Sequence, residues 1–396
     1  MNINQISRST LYLGVNDRTT ALFESLWPIP HGVSYNSYLV SGADKSAVID
    51  GVEVGHALEF IAHIRSAGNG RVPDYLVINH MEPDHSGAIS ILRKEFPDIT
   101  IVGNAQTIGM VKGFYGITDN TMTVRDGDIL DLGGCRLKFV LTPMVHWPET
   151  MMTYLVEDEV LFSGDAFGCF GALRGAVVDE AMDTASYYPE MERYYANIVG
   201  KYGSPVQKAL KKLDGVPVSM ICPTHGPVWK SEIDKVISVY DRLSRYESEE
   251  GVTIVYGSMY GNTAAAAEAI ASRLAANGIR KIAVHDASHS HLSYILADIF
   301  RYRGVIVASP TYSATLFPPI ESVMNAIRTR EIKNRFIGIA GSCAWAEQAS
   351  KAIRAHSEAA GLELVSDPVA FKHAPAAEVL KQCEDLADRM AEAVRG

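Results

Sequence analysis

The sequence predicts an α/β protein with two domains, a β-rich first domain followed by a doubly wound parallel sheet. The chain has 396 residues, which is about twice the usual length of one domain. Short β-like runs separated by Gly, Pro and Asp fill the first part, whereas strand-like and helical patterns alternate in the second part. The charged, helical segment Asp234–Glu250 separates the two patterns and predicts domains over residues 1–249 and 250–396.

The predicted strands of the first domain are short apolar runs that end at turn residues. They are Leu11–Val15, Ser46–Asp50, Tyr75–Asn79, Arg136–Thr142, Val160–Gly164 and Val218–Cys222. The second domain is predicted to begin with an apolar strand and an Ala-rich helix, followed by further strands separated by helical patterns. These elements are the strand Val252–Tyr256, the helix Ala264–Ala276 and the strands Lys281–Val284, Gly304–Ala308 and Phe336–Ala340.

The composition excludes several classes of function. The net charge of −10 and the pI near 5.7 argue against a nucleic-acid or anionic-membrane partner. Apolar residues make up 47% of the chain, yet no run approaches the roughly 20 residues that span a bilayer. The N-terminal sequence lacks a secretory signal, and the five scattered cysteines include no CxxC pair. These features predict a cytoplasmic protein.

Potential metal ligands follow four predicted strands of the first domain. One cluster comes directly after Tyr75–Asn79, and single residues follow three later strands. The tips of neighbouring strands open on one edge of a sheet, so we expect these side chains to converge. A single histidine or aspartate after a strand is usually a polar loop or turn residue, but the combination predicts a metal site. Its candidate ligands are His80, Glu82, Asp84, His85, His146, Asp165 and His225.

The spacing of these ligands resembles the metallo-β-lactamase superfamily, in which an HxHxDH motif holds two metal ions in an αββα sandwich. This chain has HxExDH, with Glu82 in place of the second histidine. Zinc hydrolase sites favour imidazole, whereas redox iron sites mix imidazole with carboxylate. Three carboxylates and one hydroxide would neutralise two divalent ions, with Asp165 as the expected bridge. The resemblance leaves two positions open for His85, toward the metal or turned away with water in its place.

The loop after Val252–Tyr256 is predicted to bind a phosphate group. Small and hydroxyl residues lie between a strand and a helix N-terminus, where backbone N–H groups and the helix dipole attract anions. Without a Walker A lysine or GxGxxG, the loop suits the monophosphate of FMN better than a pyrophosphate; the alternative is a plain structural turn. The candidate residues are Ser258, Met259, Tyr260, Gly261, Asn262 and Thr263.

Two later loops follow strands of the same predicted sheet and strengthen the FMN prediction, because ligands of doubly wound sheets bind at the carboxyl ends of strands. Tyr312 and Trp345 are expected to flank the isoalloxazine ring, with ordinary packing as the alternative. This half of the chain resembles flavodoxin. The candidate residues are Ser309, Pro310, Thr311, Tyr312, Ser313, Gly341, Ser342, Cys343, Ala344 and Trp345.

The two halves together resemble the flavodiiron proteins, also called A-type flavoproteins. The resemblance covers essentially the whole chain and rests on NHMEPDHSG, TPMVHWPETM, FSGDAFG, CPTHG and SMYGNT. It implies reduction of O2 to water, of NO to N2O, or both, at two non-haem iron ions fed by FMN. The catalytic ligands would be His80, Glu82, Asp84, His146, Asp165 and His225, with His31 near the same pocket. One departure is SCAWAEQA over residues 342–349, where the family more often has an aromatic-Gly-Trp-Ser-Gly stretch.

The resemblance also implies a head-to-tail homodimer, or a dimer of dimers, that brings the FMN of one chain to the iron of the other. The sequence contains neither a rubredoxin nor a reductase module, which favours an external rubredoxin-type electron donor. Two alternatives remain open. One is a hydrolase with a dinuclear zinc site and a flavodoxin-like docking domain, and the other is an electron carrier without catalytic activity. The preference between O2 and NO also stays open, since both reactions use the same ligands.

Overall fold

The computed structural model describes residues 4–396 and divides into two compact units. The first unit runs to Tyr194 and includes Ser204–Asp241, and the second comprises Tyr195–Gly203 and Arg242–Gly396. The domain limits at residues 249 and 250 remain a prediction. Within residues 4–396, no helix is both long and apolar enough to cross a membrane.

The first unit contains many short strands. They are β1 Thr10–Tyr12, β2 Val15–Asp17, β3 Leu22–Phe23, β4 Trp27–Pro28, β5 Val33–Tyr35, β6 Tyr38–Ser41, β7 Ser46–Ile49, β8 Tyr75–Val77, β9 Thr100–Gly103, β10 Thr121–Thr123, β11 Ile129–Asp131, β12 Arg136–Leu141, β13 Met151–Leu155, β14 Val160–Gly164 and β15 Met220–Pro223. The helices up to residue 244 are α1 Ala57–Gly68, α2 Pro83–Ser86, α3 Ile89–Glu95, α4 Ala105–Tyr115, α5 Tyr187–Tyr194, α6 Gly203–Leu213 and α7 Ile233–Ser244.

Two sheets form the core of the first unit. One has six strands in the order β1-β6-β7-β8-β9-β10, and the other has five in the order β11-β12-β13-β14-β15. Buried side chains of both sheets belong to one apolar cluster, in which Tyr38 and Val77 of the first sheet join Phe139 and Phe162 of the second. Burying one apolar face of each sheet against the other is what stabilises a sandwich. The predicted metallo-β-lactamase-like sandwich is confirmed.

The predicted strand Leu11–Val15 is wrong as a single element. Strand β1 ends at Tyr12 and pairs with β6, whereas β2 begins at Val15 and pairs with β5. Gly14 lies at the change of direction, where an added Cβ would come 2.4 Å from Tyr12 Oη. The sequence run is apolar throughout because both strands are largely buried, so hydrophobicity alone hides the break.

The second unit is built around one parallel sheet. Its strands are β16 Glu249–Tyr256, β17 Ile282–Asp286, β18 Tyr302–Tyr312, β19 Thr315–Leu316, β20 Phe336–Cys343, β21 Glu363–Leu364 and β22 Val369–Lys372. Its helices are α8 Asn262–Ala276, α9 Leu292–Arg301, α10 Pro318–Thr329, α11 Ala349–Ala359 and α12 Ala377–Arg395. The order β17-β16-β18-β20-β21, with β22 also paired to β20, is that of a flavodoxin-like doubly wound sheet. The predicted fold of this half is confirmed, and its switch point lies between β16 and β18.

Several predicted element ends differ from the structure, and the two largest shifts are at the ends of α7 and β18. The charged segment up to Glu250 is not helical to its end, because α7 stops at Ser244 and β16 already starts at Glu249, which pairs with Tyr302. Strand β18 continues beyond the predicted Ala308 to Tyr312, because its end folds back as a hairpin onto β19. The two turn residues Ser313 and Ala314 have φ of 47° and 60°, as a tight hairpin turn of this handedness requires.

Asp17, at the end of β2, is a buried carboxylate with several hydrogen bonds. Its oxygens accept hydrogen bonds from the backbone N–H groups of Thr19 and Thr20, at 2.7 and 3.0 Å, and from both hydroxyls. Burial alone would raise the pKa of Asp17, but the hydrogen bonds from Thr20 and Thr19 lower it well below 3.8. A carboxyl group whose pKa is depressed by folding stabilises the fold above its unfolded pKa and loses that effect as the pH falls through its folded pKa.

Replacing Asp17 by asparagine is expected to destabilise the protein by about 1–3 kcal/mol at pH 7. The difference from wild type should shrink as the pH falls below about 4, because the carboxyl group of the unfolded chain then gains its proton while that of the folded chain stays ionised. Thermal midpoints measured at pH 7 and pH 3 test this. The exposed Asp98, replaced by asparagine, serves as the matched control and should change neither midpoint. An equal loss at both pH values for Asp17→Asn would contradict the prediction.

Candidate metal centre and flavin site

The seven predicted metal ligands come from loops at the ends of strands in both sheets of the first unit. The cluster from His80 to His85 follows β8, with Asp84 and His85 on the short helix α2. His146 lies between β12 and β13, Asp165 directly follows β14, and His225 follows β15. The structure brings these side chains together in two adjacent groups.

The first group contains His80, Glu82, His146 and Asp165, all buried. The Nε2 atoms of His80 and His146 lie 3.2 and 3.0 Å from Glu82 Oε2. The same two nitrogens lie 3.5 and 2.9 Å from Asp165 Oδ2. Four ligand atoms therefore surround one small space.

The second group contains Asp84, His85 and His225. Asp84 Oδ2 lies 3.3 Å from His85 Nε2 and 3.2 Å from His225 Nε2. Asp165 Oδ1 completes the group at 2.9 Å from His85 Nε2 and 3.8 Å from His225 Nε2. The two oxygens of Asp165 thus face different groups, which supports its predicted role as a bridge. The Nε2 atom of His85 faces Asp84 and Asp165 within this group.

The donor set fits two divalent cations. Both oxygens of Asp84, both ring nitrogens of His85 and Nε2 of His225 are buried and form no hydrogen bond, which would be costly without a cation to receive them. Metal–ligand bonds of about 2.1 Å place neighbouring ligand atoms roughly 3.0–3.4 Å apart. Most of the separations given above lie close to this range.

The electrostatics of the groups agree with a cation site. Burial alone would lower the pKa of His146, but hydrogen bonds with Asp165 and Glu82 raise it to about 9. Burial likewise opposes charge on His85, whereas Asp84 and Asp165 raise its pKa to about 9. Burial favours the neutral form of Glu82, yet its hydrogen bonds with His146 and His80 keep its pKa well below 4.5. The carboxylates therefore favour positive charge in this pocket strongly enough to overcome the cost of burial.

Two residues near the groups were not predicted from the sequence. Glu149 contacts His80, and the buried Tyr194 lies with its ring centre 5.6 Å from that of His225. The hydroxyl group of Tyr194 forms no hydrogen bond. Glu149 follows His146 by three residues, a spacing that could have marked it, whereas no sequence signal marks Tyr194. His31, expected near this pocket, is exposed and belongs to neither group. The aromatic ring of Phe23 packs against His225.

The three predicted flavin loops line one cavity of about 800 Å³ in the second unit, at the carboxyl ends of β16, β18 and β20. Tyr260 and Trp345 are exposed at 90% and 84%, where they can contact a bound ring system. The cavity is lined by the predicted Ser258, Met259, Tyr260, Asn262, Thr263, Pro310, Thr311, Tyr312, Ser313, Ser342, Cys343, Ala344 and Trp345, and also by Ala314, Ala346, Gln348 and His373.

Three predicted flavin residues do not line this cavity. Gly261 precedes α8 with φ of 90°, and its N–H donates to Ser258 Oγ at 3.1 Å. Ser309 and Gly341 are buried within β18 and β20 because both strands extend further than predicted. These three residues shape the backbone around the cavity. The hydroxyls of Ser258 and Thr263, together with the N-terminus of the 15-residue helix α8, fit a phosphate group.

Thr311 joins two of the flavin loops. Its Oγ1 accepts hydrogen bonds from the backbone N–H groups of Gln348 and Ala349, at 2.9 and 3.2 Å. Replacing Thr311 by valine leaves both N–H groups without this acceptor, and we expect FMN to bind about 5- to 30-fold more weakly. Thr311→Ser keeps the hydroxyl and should bind FMN like the wild type. Fluorescence titration of FMN-depleted protein measures both, and equal affinity of Thr311→Val and wild type would contradict this role.

Comparisons with known proteins support a metallo-β-lactamase-like first unit and a flavodoxin-like second unit. Residues 33–226 match the family described as "ODP family beta lactamase", and residues 254–390 match "Flavodoxin". The "Anaerobic nitric oxide reductase flavorubredoxin" of Escherichia coli K12 is 34% identical over 359 residues, which cover 89% of this chain and 74% of that protein.

Two solved structures are similar over nearly their whole length. The rubredoxin oxygen:oxidoreductase of Desulfovibrio gigas has a TM-score of 0.95 and 26% identity, covering 100% of this chain and 99% of that one. The flavodiiron protein of Giardia intestinalis has a TM-score of 0.95 and 25% identity, covering 100% and 97%.

A metallo-β-lactamase-like unit with clustered histidines and carboxylates, joined to a flavodoxin-like unit, defines a class of oxidoreductases that use FMN and two iron ions. The chain belongs to the flavodiiron protein family. Membership supports the oxidoreductase reading over the dinuclear zinc hydrolase and over a carrier without catalytic activity.

Proposed function

We propose that this chain reduces O2 to water, NO to N2O, or both, with electrons from a rubredoxin-type donor. The observation that carries the proposal is the pair of adjacent ligand groups that share Asp165 and include the carboxylate of Glu82. Relatives named for nitric oxide reduction and oxygen reduction support it. The cytoplasmic location predicted from composition remains part of this proposal.

The seven side chains of the two groups would hold two iron ions. Glu82 with His80 and His146 would bind one ion, Asp84 with His85 and His225 the other, and Asp165 both. When bound, the iron pair and FMN supply two electrons each, which matches the four electrons that reduce O2 to two waters. Because six of the seven ligand residues are buried and Asp84 is only partly exposed, the site would keep most bulk water away.

Tyr194 adds a hydrogen-bond donor beside this site. Burial, with the charges of Asp165 and Asp84, raises the pKa of Tyr194 well above 10. Its hydroxyl proton therefore stays in place at neutral pH, and the group can donate a hydrogen bond to a polar ligand in the pocket. The metal centre would thus combine acceptor carboxylates with one buried neutral donor.

The flavin cavity would hold FMN by its phosphate at Ser258–Thr263, with Tyr312 and Trp345 beside the ring. We further propose the head-to-tail homodimer, or a dimer of dimers, implied by the family resemblance. Sedimentation combined with turnover tests it, since a strictly monomeric protein with full activity would contradict the proposed transfer between chains.

The test of function is steady-state consumption of each gas by protein reconstituted with Fe²⁺ and FMN, using a reduced rubredoxin as donor. We expect O2 or NO consumption that depends on both the iron and the rubredoxin. Iron and zinc contents per chain are measured on the same samples. Two zinc ions per chain, no iron and no gas consumption would overturn the proposal.

A further inference from the structure

Glu149 lies directly behind one of the candidate metal ligands. Its Oε1 accepts a hydrogen bond from His80 Nδ1 at 2.8 Å and another from the Met81 N–H at 2.9 Å. The Glu149 residue is completely buried, and Asn104 Nδ2 donates to its backbone carbonyl at 2.5 Å. With the proton of His80 on Nδ1, the lone pair of Nε2 points into the first ligand group.

The Nδ1 atoms of His225 and His85 have weaker hydrogen-bond partners than that of His80, or none. His225 Nδ1 lies 2.8 Å from the backbone carbonyl of Ser34, which is a neutral acceptor. His85 Nδ1 is buried and forms no hydrogen bond. A carboxylate attracts the Nδ1 proton more strongly than a carbonyl does, so it orients the ring better and makes Nε2 a stronger ligand. The hydrogen bond that orients the imidazole ring is therefore strongest for His80, weaker for His225 and missing for His85.

This difference separates the two ligand groups. The first group has the carboxylates of Glu82 and Asp165 and a histidine held by a third carboxylate, Glu149. The second group has Asp84, shares Asp165, and includes His85 without a partner on Nδ1. The carboxylate bonded to His80 Nδ1, and the ring orientation that it gives, favour tighter binding of a divalent cation in the first group.

We propose that Glu149 is a positioning residue that makes the first group the tighter metal site, so that the two metal ions bind in a fixed order. The inference rests on the proposed assignment of the seven side chains as metal ligands. It adds a residue outside that ligand set and an order of metal loading that the ligand list alone does not contain.

The experiment is an anaerobic calorimetric titration of metal-free, FMN-containing full-length protein with Co²⁺. Wild type should bind two ions in two resolved steps. Glu149→Gln keeps the side-chain volume and an oxygen that accepts from His80 and Met81, but removes the charge. We expect it to weaken the tight step by about 10- to 100-fold and to leave the weak step unchanged. Asp84→Asn should remove the weak step alone, which assigns each step to its group.

Asp179→Asn is the matched control. Asp179 is also a buried carboxylate, but its oxygens accept only from the backbone N–H groups of Lys230, Ser231 and Glu232. Its replacement removes one buried negative charge without touching an imidazole and should leave both binding steps unchanged. Thermal midpoints of the metal-free variants are measured in parallel, so that a general loss of structure is recognised.

The outcomes separate this inference from the proposed function. Wild type that binds no Co²⁺ would contradict the ligand assignment and with it the function. Two equal steps in wild type, or an unchanged tight step in Glu149→Gln, would overturn the role of Glu149 while leaving the ligand assignment in place. If Glu149→Gln does not fold, Glu149→Asp keeps the charge on a shorter side chain. It should weaken the tight step by a smaller factor, and an unchanged tight step would overturn the inference.

Discussion

Replacing Asp165 by asparagine is expected to lower gas reduction at least about 100-fold while leaving FMN bound. Asp165 reaches both ligand groups, with Oδ2 at 2.9 Å from His146 Nε2 and Oδ1 at 2.9 Å from His85 Nε2. Asparagine is neutral, and its amide nitrogen is a donor that cannot replace a carboxylate oxygen as a ligand. The one remaining side-chain oxygen can serve only one group, so one proposed iron site loses a ligand and both lose the negative charge they share.

The measurement is gas consumption with a reduced rubredoxin, together with the iron and FMN contents per chain. Thr224 supplies the matched control, because its hydroxyl donates to Asp165 Oδ1 at 2.6 Å without belonging to either group. Thr224→Val removes only this hydrogen bond and should lower the rate a few-fold. Asp165→Asn protein that keeps two iron ions and normal turnover would show that the bridge is assigned wrongly.

Replacing Arg335 by methionine is expected to destabilise the second unit by about 3–5 kcal/mol. Arg335 is buried, and its guanidinium donates to backbone carbonyls, those of Tyr246, Ile299, Phe300, Lys333 and Asn334. Two of these carbonyls lie in the last turn of α9, where a cation is also favoured by the helix dipole. Methionine leaves these carbonyls without this donor, and the bonds lost at Tyr246, Ile299 and Phe300 are buried.

Thermal or urea unfolding, followed by FMN fluorescence, measures this loss. Burial, with the nearby cations Arg242 and Arg303, lowers the pKa of Arg335 to about 10, so the side chain remains charged at pH 7. Arg335→Lys keeps the charge, but an ammonium group has fewer donors than a guanidinium and cannot bond to all five carbonyls. We therefore expect a loss of stability between those of wild type and Arg335→Met. A change below about 0.5 kcal/mol for Arg335→Met would mean that water replaces the guanidinium at little cost.

The two-domain architecture was predictable from the sequence because each half has its own periodicity. Buried parallel strands such as Val252–Tyr256 read as continuous apolar runs, and the amphipathic helix that follows has a different period. Element ends were less predictable. The end of β18 at Tyr312 depends on its pairing with β19, and the break between Tyr12 and Val15 depends on two different partner strands.

The candidate ligands were predictable for a related reason. His80, His146, Asp165 and His225 each follow a strand, and strand ends of stacked sheets open on a common edge. Glu149 was missed because its role depends on a contact with His80, 69 residues away. Tyr194 was missed because it lies on a helix whose packing places its ring beside His225.

The sequence by itself determined the two fold classes, the types of the candidate metal and flavin residues and their positions after strands, because these follow from periodicity and residue chemistry along the chain. Only the tertiary structure decided that Asp165 faces two groups, that His85 turns inward and that Glu149 supports His80. Those relations are distances between atoms on different loops, and packing of the two sheets sets them. No local pattern in the chain encodes which of two carboxylate oxygens meets which imidazole.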